Sequence, residues 1–427
     1  MGHGAQRDDP CARRRLRADV RFPAACSCRR DMSAGPHPLC ERGIDLLAGL
    51  VGFPSVSLSP NGDIVGYIEE WLGAHGIASW RDAHEDGERF NLLARIGPEA
   101  AGGILLSGHL DVVPADAAGW QSDPFSLRRA DGRLYGRGAV DMKGFLAMAL
   151  AMAPEFQARA GELSEPFYLA FTFDEELGCF GAERLPAFLE AAGVTPRIAI
   201  IGEPTGMMPI NAHKGGMELV THLRGAAAHA SNPDNGVNAI FAASKIIGFI
   251  EQLAAECAGA PVAGSAFDPP HTTLSVGTIR GGEARNVIPE GCSFDWEIRA
   301  HPGADPHDLR RRVQRFVEEE VLPAMTARNP GCEVVTEMLL DAPPLVATSE
   351  SEAEALVARL WTNRPPSVVS FGTDGAFFQK AGLDTIVIGP GGMAQMHQPD
   401  EFITEEAMNE GLQFLERLLD EMSGRTA

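Results

Sequence analysis

The sequence has no apolar run approaching the roughly 20 residues that a membrane-spanning helix needs, and this argues against a membrane protein. Positive charge is scarce. The 36 Lys and Arg residues face 58 Asp and Glu, for a formal net charge of -22. So acidic a chain is a poor partner for nucleic acid or an anionic membrane surface. It says nothing of a small substrate's charge, because a local patch can oppose the global sign. Cysteines are few and scattered: Cys11, Cys26, Cys28, Cys40, Cys179, Cys257, Cys292 and Cys332. In a chain of this length they do not read as a disulfide framework, and they fit a reducing cytoplasm. Internal repeats and low-complexity segments are also missing. The N-terminus lacks the uninterrupted apolar stretch of a secretory signal.

The 427 residues that are present suit two domains rather than one core. Hydrophobic content of 44% with 22% charged residues is ordinary for a soluble globular protein. Residues 1–35 stand apart. Their Arg-rich "CARRRLRADVRFPAACSCRR" has no apolar period and is expected to be a disordered extension, or an extension upstream of a start at Met32. From about Pro38 the pattern turns globular. "GIDLLAGLVGF" and "GDIVGYIEEWLGAHG" show helical spacing, while "NLLARIG" and "GGILLSGHLDVVP" read as strands. "DMKGFLAMALAMAPEF" reads as a buried helix closed near its proline, and "PFYLAFTFDEELG" and "RIAIIGEP" as further strands. The alternation predicts an α/β fold, a sheet with helices on both faces.

Between residues 215 and 340 the order changes to strand, helix, strand, strand, helix, strand. That βαββαβ order is the ferredoxin-like arrangement. Beyond residue 341 the α/β pattern resumes with "SVVSFGTDGAFFQKAG", "TIVIGPGG" and a closing helix. The smaller module is therefore expected as an insertion, with residues 36–214 and 341–427 forming the larger domain.

Chemistry-bearing residues fall at the ends of the apolar runs. In "SGHLDVVP", His109 and Asp111 share a face of a strand, and a carboxylate so placed can orient a metal-bound imidazole. A capped turn uses the same letters. Asp141 in "YGRGAVDMKG" stands where a Gly-rich turn hands over to a helix, which also suits a plain N-terminal cap. Glu175 and Glu176 in "FTFDEELG" would point to opposite faces of a regular strand. Both reach one site only if the strand ends there and the chain turns. Glu203 in "AIIGEPTG" and His397 in "GPGGMAQMHQPDEFI" complete the set. In open α/β sheets ligands gather at the carboxyl ends of strands, so these residues are expected to converge. Two His and several carboxylates without Cys suit catalytic Zn, Co or Mn. A carboxylate can bridge two metals, and a spare Glu can move a proton.

These five segments, in this order, resemble the metallopeptidase family that includes aminoacylases, glutamate carboxypeptidase, succinyl-diaminopimelate desuccinylase and acetylornithine deacetylase. The resemblance runs from about residue 38 to the end. It implies a catalytic domain with a central mixed sheet flanked by helices, plus an inserted lid and dimerisation domain. It implies two divalent metal ions, zinc first, with His109 and Glu203 as terminal ligands of one and Glu176 and His397 of the other. Asp141 would bridge them, and a non-proline cis peptide would follow it. Glu175 would be the general acid/base and Asp111 the partner of His109. His229 in "GAAAHASNPDNGVNAI" would reach a partner subunit's site and stabilise an oxyanion. Asn286 and Arg299 would bind the substrate carboxylate, and Gly372 and Thr373 would form a substrate-contacting turn.

Read on its own, His229 is a loop residue and "EIR" an alternating strand. Within the family, "AHKGGMEL", "GAAAHASNPDNGVNAI" and "GPGGMAQMHQPDEFI" lean toward the deacetylases of acetylornithine. The implied substrate is a small N-acyl amino acid, handled by a cytoplasmic homodimer in arginine biosynthesis. A sister deacylase and a catalytically silent binding protein on the same fold are the alternatives.

Overall fold

Along the strand Phe167–Thr172 successive side chains enter two different cores. Phe167, Leu169 and Phe171 pack on one face, Tyr168 and Ala170 on the other. The strand Ile104–His109 divides in the same way, with Ile104 and Leu106 against Leu105. A strand buried on both faces needs an unbroken apolar run, as these have. They belong to a computed structural model that describes residues 35–116 and 118–425. The expected disordered extension at residues 1–35 lies almost wholly outside the described residues.

The large sheet has eight strands. In spatial order they are Ala78–Ala83, Phe90–Ile96, Phe167–Thr172, Ile104–His109, Ile198–Ile201, Asp384–Val387, Ile210–His213 and Ser367–Val369. The four from Phe167–Thr172 to Asp384–Val387 run parallel, and antiparallel pairings flank them. The sheet is thus mixed, as expected. From Ile104–His109 the chain steps to one side, then to the other for Ile198–Ile201. The carboxyl ends of these two strands therefore face a topological switch point.

One face is covered by helices Cys40–Val51, Lys143–Ala158 and Glu405–Met422, the other by Phe180–Ala191 and Gly375–Lys380. The helix Lys143–Ala158 corrects one sequence expectation, because it runs through Pro154 instead of closing there. Proline removes the donor for the carbonyl four residues back. That carbonyl, Leu150 O, accepts from Trp71 Nε1 at 3.0 Å, and the next, Ala151 O, accepts from Arg42 Nη1 at 3.1 Å. Side chains from neighbouring helices thus replace what the proline removes.

The inserted module has a four-stranded antiparallel sheet, ordered Thr273–Gly281, Gly291–Ala300, Gly215–Arg224, Glu333–Ala342. Helices Ala239–Gly259 and Pro306–Phe316 cover one face over a core that includes Leu219, Phe294, Trp296 and Ile298. In chain order this is βαββαβ. A small sheet of Arg128–Ala130, Arg133–Tyr135 and Phe402–Thr404 ties the two ends of the larger domain together. Among the described residues no helix is long and apolar enough to cross a membrane.

Candidate active site

Each central parallel strand delivers a polar residue at its carboxyl end. His109 closes its own strand, and Glu203 follows Ile198–Ile201 by two residues. After Phe167–Thr172 the chain bends. Asp174 takes a left-handed φ of 52° and a short 3-10 turn, Glu175–Leu177, follows. That bend lets neighbouring glutamates face one site, which a continued strand would forbid. Asp174 itself turns away. Its carboxylate accepts from Leu58 N at 2.7 Å and pairs with Arg89. The run of three acids is thereby divided between two environments.

Asp141 precedes the helix Lys143–Ala158, and the peptide between Asp141 and Met142 is cis. Its two oxygens face different histidines. Oδ1 is 3.1 Å from His109 Nε2, and Oδ2 is 3.2 Å from His397 Nε2. Glu203 Oε1 lies 3.9 Å from His109 Nε2, and Glu176 Oε2 lies 2.9 Å from His397 Nε2. His397 itself sits in the loop after Asp384–Val387 with a left-handed φ of 57°. The expected residues His109, Asp141, Glu175, Glu176, Glu203 and His397 therefore come together.

Charge within this cluster is unbalanced. Burial, followed by the charge of Glu203, pushes the Glu175 carboxyl well above its usual range. Burial and the charge of Asp141 do the same to Glu203. Asp141 and Glu176 hold His397 up at about 10, and His109 is raised too, despite its burial, by Asp111 and Asp141. The acids thus favour positive charge at both Nε2 positions. Glu203 Oε1 is buried without a hydrogen-bond partner among the described residues. Ligand atoms of His109, Asp141 and Glu176, and of His109, Glu175 and Glu203, lie within 4.8 Å of one another. Imidazole and carboxylate donors with unmatched negative charge fit a pair of divalent cations.

Asp111 does more than was expected of it. His109 Nδ1 is 2.9 Å from the Asp111 carbonyl and 3.6 Å from its carboxylate. The carboxylate accepts instead from Glu175 N at 3.0 Å, Glu176 N at 3.3 Å and Ser57 Oγ at 2.7 Å. It braces the turn that carries both glutamates.

The cluster opens into a cavity of about 490 Å³, lined also by Glu218, Arg299, Leu340, Phe371, Gly372 and Met393. Of the expected substrate contacts, Arg299 and Gly372 line this cavity. Thr373 lies behind the wall, 2% exposed, with its Oγ1 accepting from Gly375 N. His229 and Asn286 are exposed and close to each other, with Ala230 N donating to Asn286 O at 2.9 Å. Neither lines this cavity.

Several buried groups escaped the sequence reading. Glu401 accepts from Arg137 Nη1 at 2.6 Å and from the amides of Gly138, Val140 and Asp141. Asp374 accepts from Thr172 Oγ1 at 2.6 Å, and burial raises its carboxyl to about 6. Lys143 Nζ donates to Leu50 O and Phe53 O. "PDEF", "GTDG" and "DMKG" look like surface turn and helix-cap letters, so only their burial reveals them.

Comparison with known proteins agrees with this geometry. Residues 105–421 match the family model described as peptidase family M20/M25/M40. An acetylornithine deacetylase of Salmonella paratyphi B is 34% identical over 367 residues, 84% of this chain and 92% of that one. The di-peptidase Dug1p of Saccharomyces cerevisiae superposes with a TM-score of 0.70 at 18% identity, over 90% of this chain and 96% of that one. A dinuclear metal-binding M20 peptidase of Bacillus subtilis superposes with a TM-score of 0.63 at 18% identity, over 91% and 99%. The chain belongs to peptidase family M20/M25/M40 and is a metal-dependent hydrolase of amide bonds.

Proposed function

We propose that this enzyme removes the acyl group from a small N-acyl amino acid, N-acetyl-L-ornithine first, to leave ornithine and acetate. The observation that carries the reading is Asp141, whose two oxygens address two histidines on either side of it. The similar Salmonella protein bears the name of that activity.

In this reading His109 and Glu203 would hold one metal ion, Glu176 and His397 the other, and Asp141, which faces both histidines, would contribute to both. Zinc is the first choice, and cobalt or manganese suits the same donors. When bound, the ions supply Lewis acidity and make water more acidic. Glu175 takes a proton from the attacking water and gives it to the departing amine. Asp111 orients the turn of Glu175. Arg299 binds the substrate carboxylate through its planar fork.

His229 and Asn286 stand apart from the cavity of their own chain, which supports their delivery to a second copy. The working unit is then a homodimer joined through the inserted domain. The described cysteines, Cys40, Cys179, Cys257, Cys292 and Cys332, are free thiols, in keeping with a cytoplasmic enzyme of arginine biosynthesis.

The test is amide hydrolysis by zinc- or cobalt-loaded protein on N-acetyl-L-ornithine, N-succinyl-diaminopimelate and a panel of N-acyl amino acids. A preference for acetylornithine that chelation abolishes is expected. Metal-dependent activity on a different acyl amino acid would keep the chemistry and replace the substrate. Inactivity on all of them would refute the deacylase reading.

A further inference from the structure

Two glutamates compete for one arginine at the cavity wall. In the register of Gly215–Arg224 and Gly291–Ala300, Glu218 stands directly opposite Glu297. Like charges at paired positions repel, so the arrangement needs a counter-ion. Arg299, two residues beyond Glu297 and on the same face, supplies it unevenly. Its Nη2 is 2.7 Å from Glu297 Oε2, its Nε donates to the same oxygen at 2.9 Å, and Nη2 is 3.4 Å from Glu218 Oε1. Glu297 takes the strong contacts and Glu218 is left with the weak one.

Glycine makes room for this. Gly216 is the register partner of Arg299, and a Cβ there would meet Arg299 Nη1 at 3.1 Å. The guanidinium can therefore lie across the strand toward Glu218. Of the three charged residues, Glu218 and Arg299 line the cavity and Glu297 does not. Arg299 is the only Lys or Arg among the lining residues described. Burial keeps the Glu218 carboxyl above its usual range even beside that arginine.

A substrate carrying only a carboxylate would draw Arg299 from Glu218 and leave that acid without a partner. A substrate that also carries a cationic side chain would replace the lost contact. We propose that Glu218 selects N-acyl derivatives of diamino acids. The substrate carboxylate takes the Nη1–Nη2 edge of Arg299, whose Nε keeps its contact with Glu297, and Glu218, released, accepts the substrate's side-chain ammonium. Pairs of charges are exchanged and none is stranded. This rests on the deacylase reading of the same site.

The test compares N-acetyl-L-ornithine with N-acetyl-L-norvaline, which has the same carbon chain without the terminal amine. For the metal-loaded wild type, kcat/KM should favour the ornithine derivative. Glu218→Gln keeps the size and removes the charge. It should shrink that preference by about 10–100-fold, mainly through KM, as expected for losing a hydrogen bond between charged groups. A second readout needs no turnover: calorimetric binding of L-ornithine and L-norvaline to the wild type, with ornithine expected to bind more tightly. Equal binding of the two, or a preference that Glu218→Gln leaves intact, overturns the proposal while the deacylase reading stands. Failure of the wild type to hydrolyse either derivative or any other N-acyl amino acid overturns that reading instead.

Discussion

The backbone N–H of Asp141 donates to Glu401 Oε1 at 3.1 Å, joining residues 260 apart in sequence. Glu401 follows His397 by four residues, so one carboxylate links the two loops that carry Asp141 and His397. It is 1% exposed and also pairs with Arg137.

Glu401→Ala is expected to cost about 3–5 kcal/mol of stability, because it leaves the Arg137 charge buried and unpaired. The variant should also retain less metal after dialysis. Urea unfolding and metal analysis check both, and a change in stability below about 0.5 kcal/mol would contradict the bracing role.

Glu175→Ala should reduce kcat by about 10²–10⁴-fold, the usual share of a general acid/base. Metal content should stay close to that of the wild type, since Glu175 is not among the proposed ligands. An active variant would remove Glu175 from its assigned role.

Stability should fall in mild acid through His213. Its ring is 1% exposed, with Nδ1 bonded to Lys214 O at 2.9 Å and Nε2 accepting from Thr373 N at 3.3 Å. Burial lowers its pKa from 6.5 to about 4. The folded protein therefore stays neutral there while the unfolded chain takes up a proton. The contribution is whole above pH 6.5 and is lost as pH falls toward 4, by about 3 kcal/mol. Urea midpoints from pH 7 to 4 should drop more steeply for the wild type than for His213→Gln. Parallel profiles would show that the ring is protonated without penalty.

In its proposed role as an oxyanion donor to a neighbouring site, loss of His229 should make His229→Ala about 10²–10³-fold slower. Because His229 is exposed, the unfolding midpoint should hardly move. Mixing His229→Ala with Glu175→Ala subunits should restore activity, since a hybrid dimer contains one site with both residues. A mixture as inactive as its parts, or a fully active monomer, would contradict the shared site.

The α/β class, the inserted βαββαβ module and the converging His and acidic residues were legible in the sequence alone. The strands are buried on both faces, so their apolar runs are unbroken, and a polar residue at the end of such a run is conspicuous. Ile104–His109 and Phe167–Thr172 show this directly. The family motifs added what spacing cannot provide, namely which carboxylate stands between the two histidines.

Only the tertiary structure decided how the cluster is held. Glu401, Asp374 and Lys143 carry charge in segments that look like surface turns, and burial is a property of what packs over them. The strand–helix alternation did not foresee that helix Lys143–Ala158 runs through Pro154, because Trp71 and Arg42 come from other helices. Nor did it distinguish the carboxylate of Asp111, which holds the turn of Glu175 and Glu176, from its carbonyl, which meets His109. Sequence order determines which residues end a strand. The direction of each hydrogen bond at the site depends on contacts between segments up to 264 residues apart, and those exist only once the sheet has assembled.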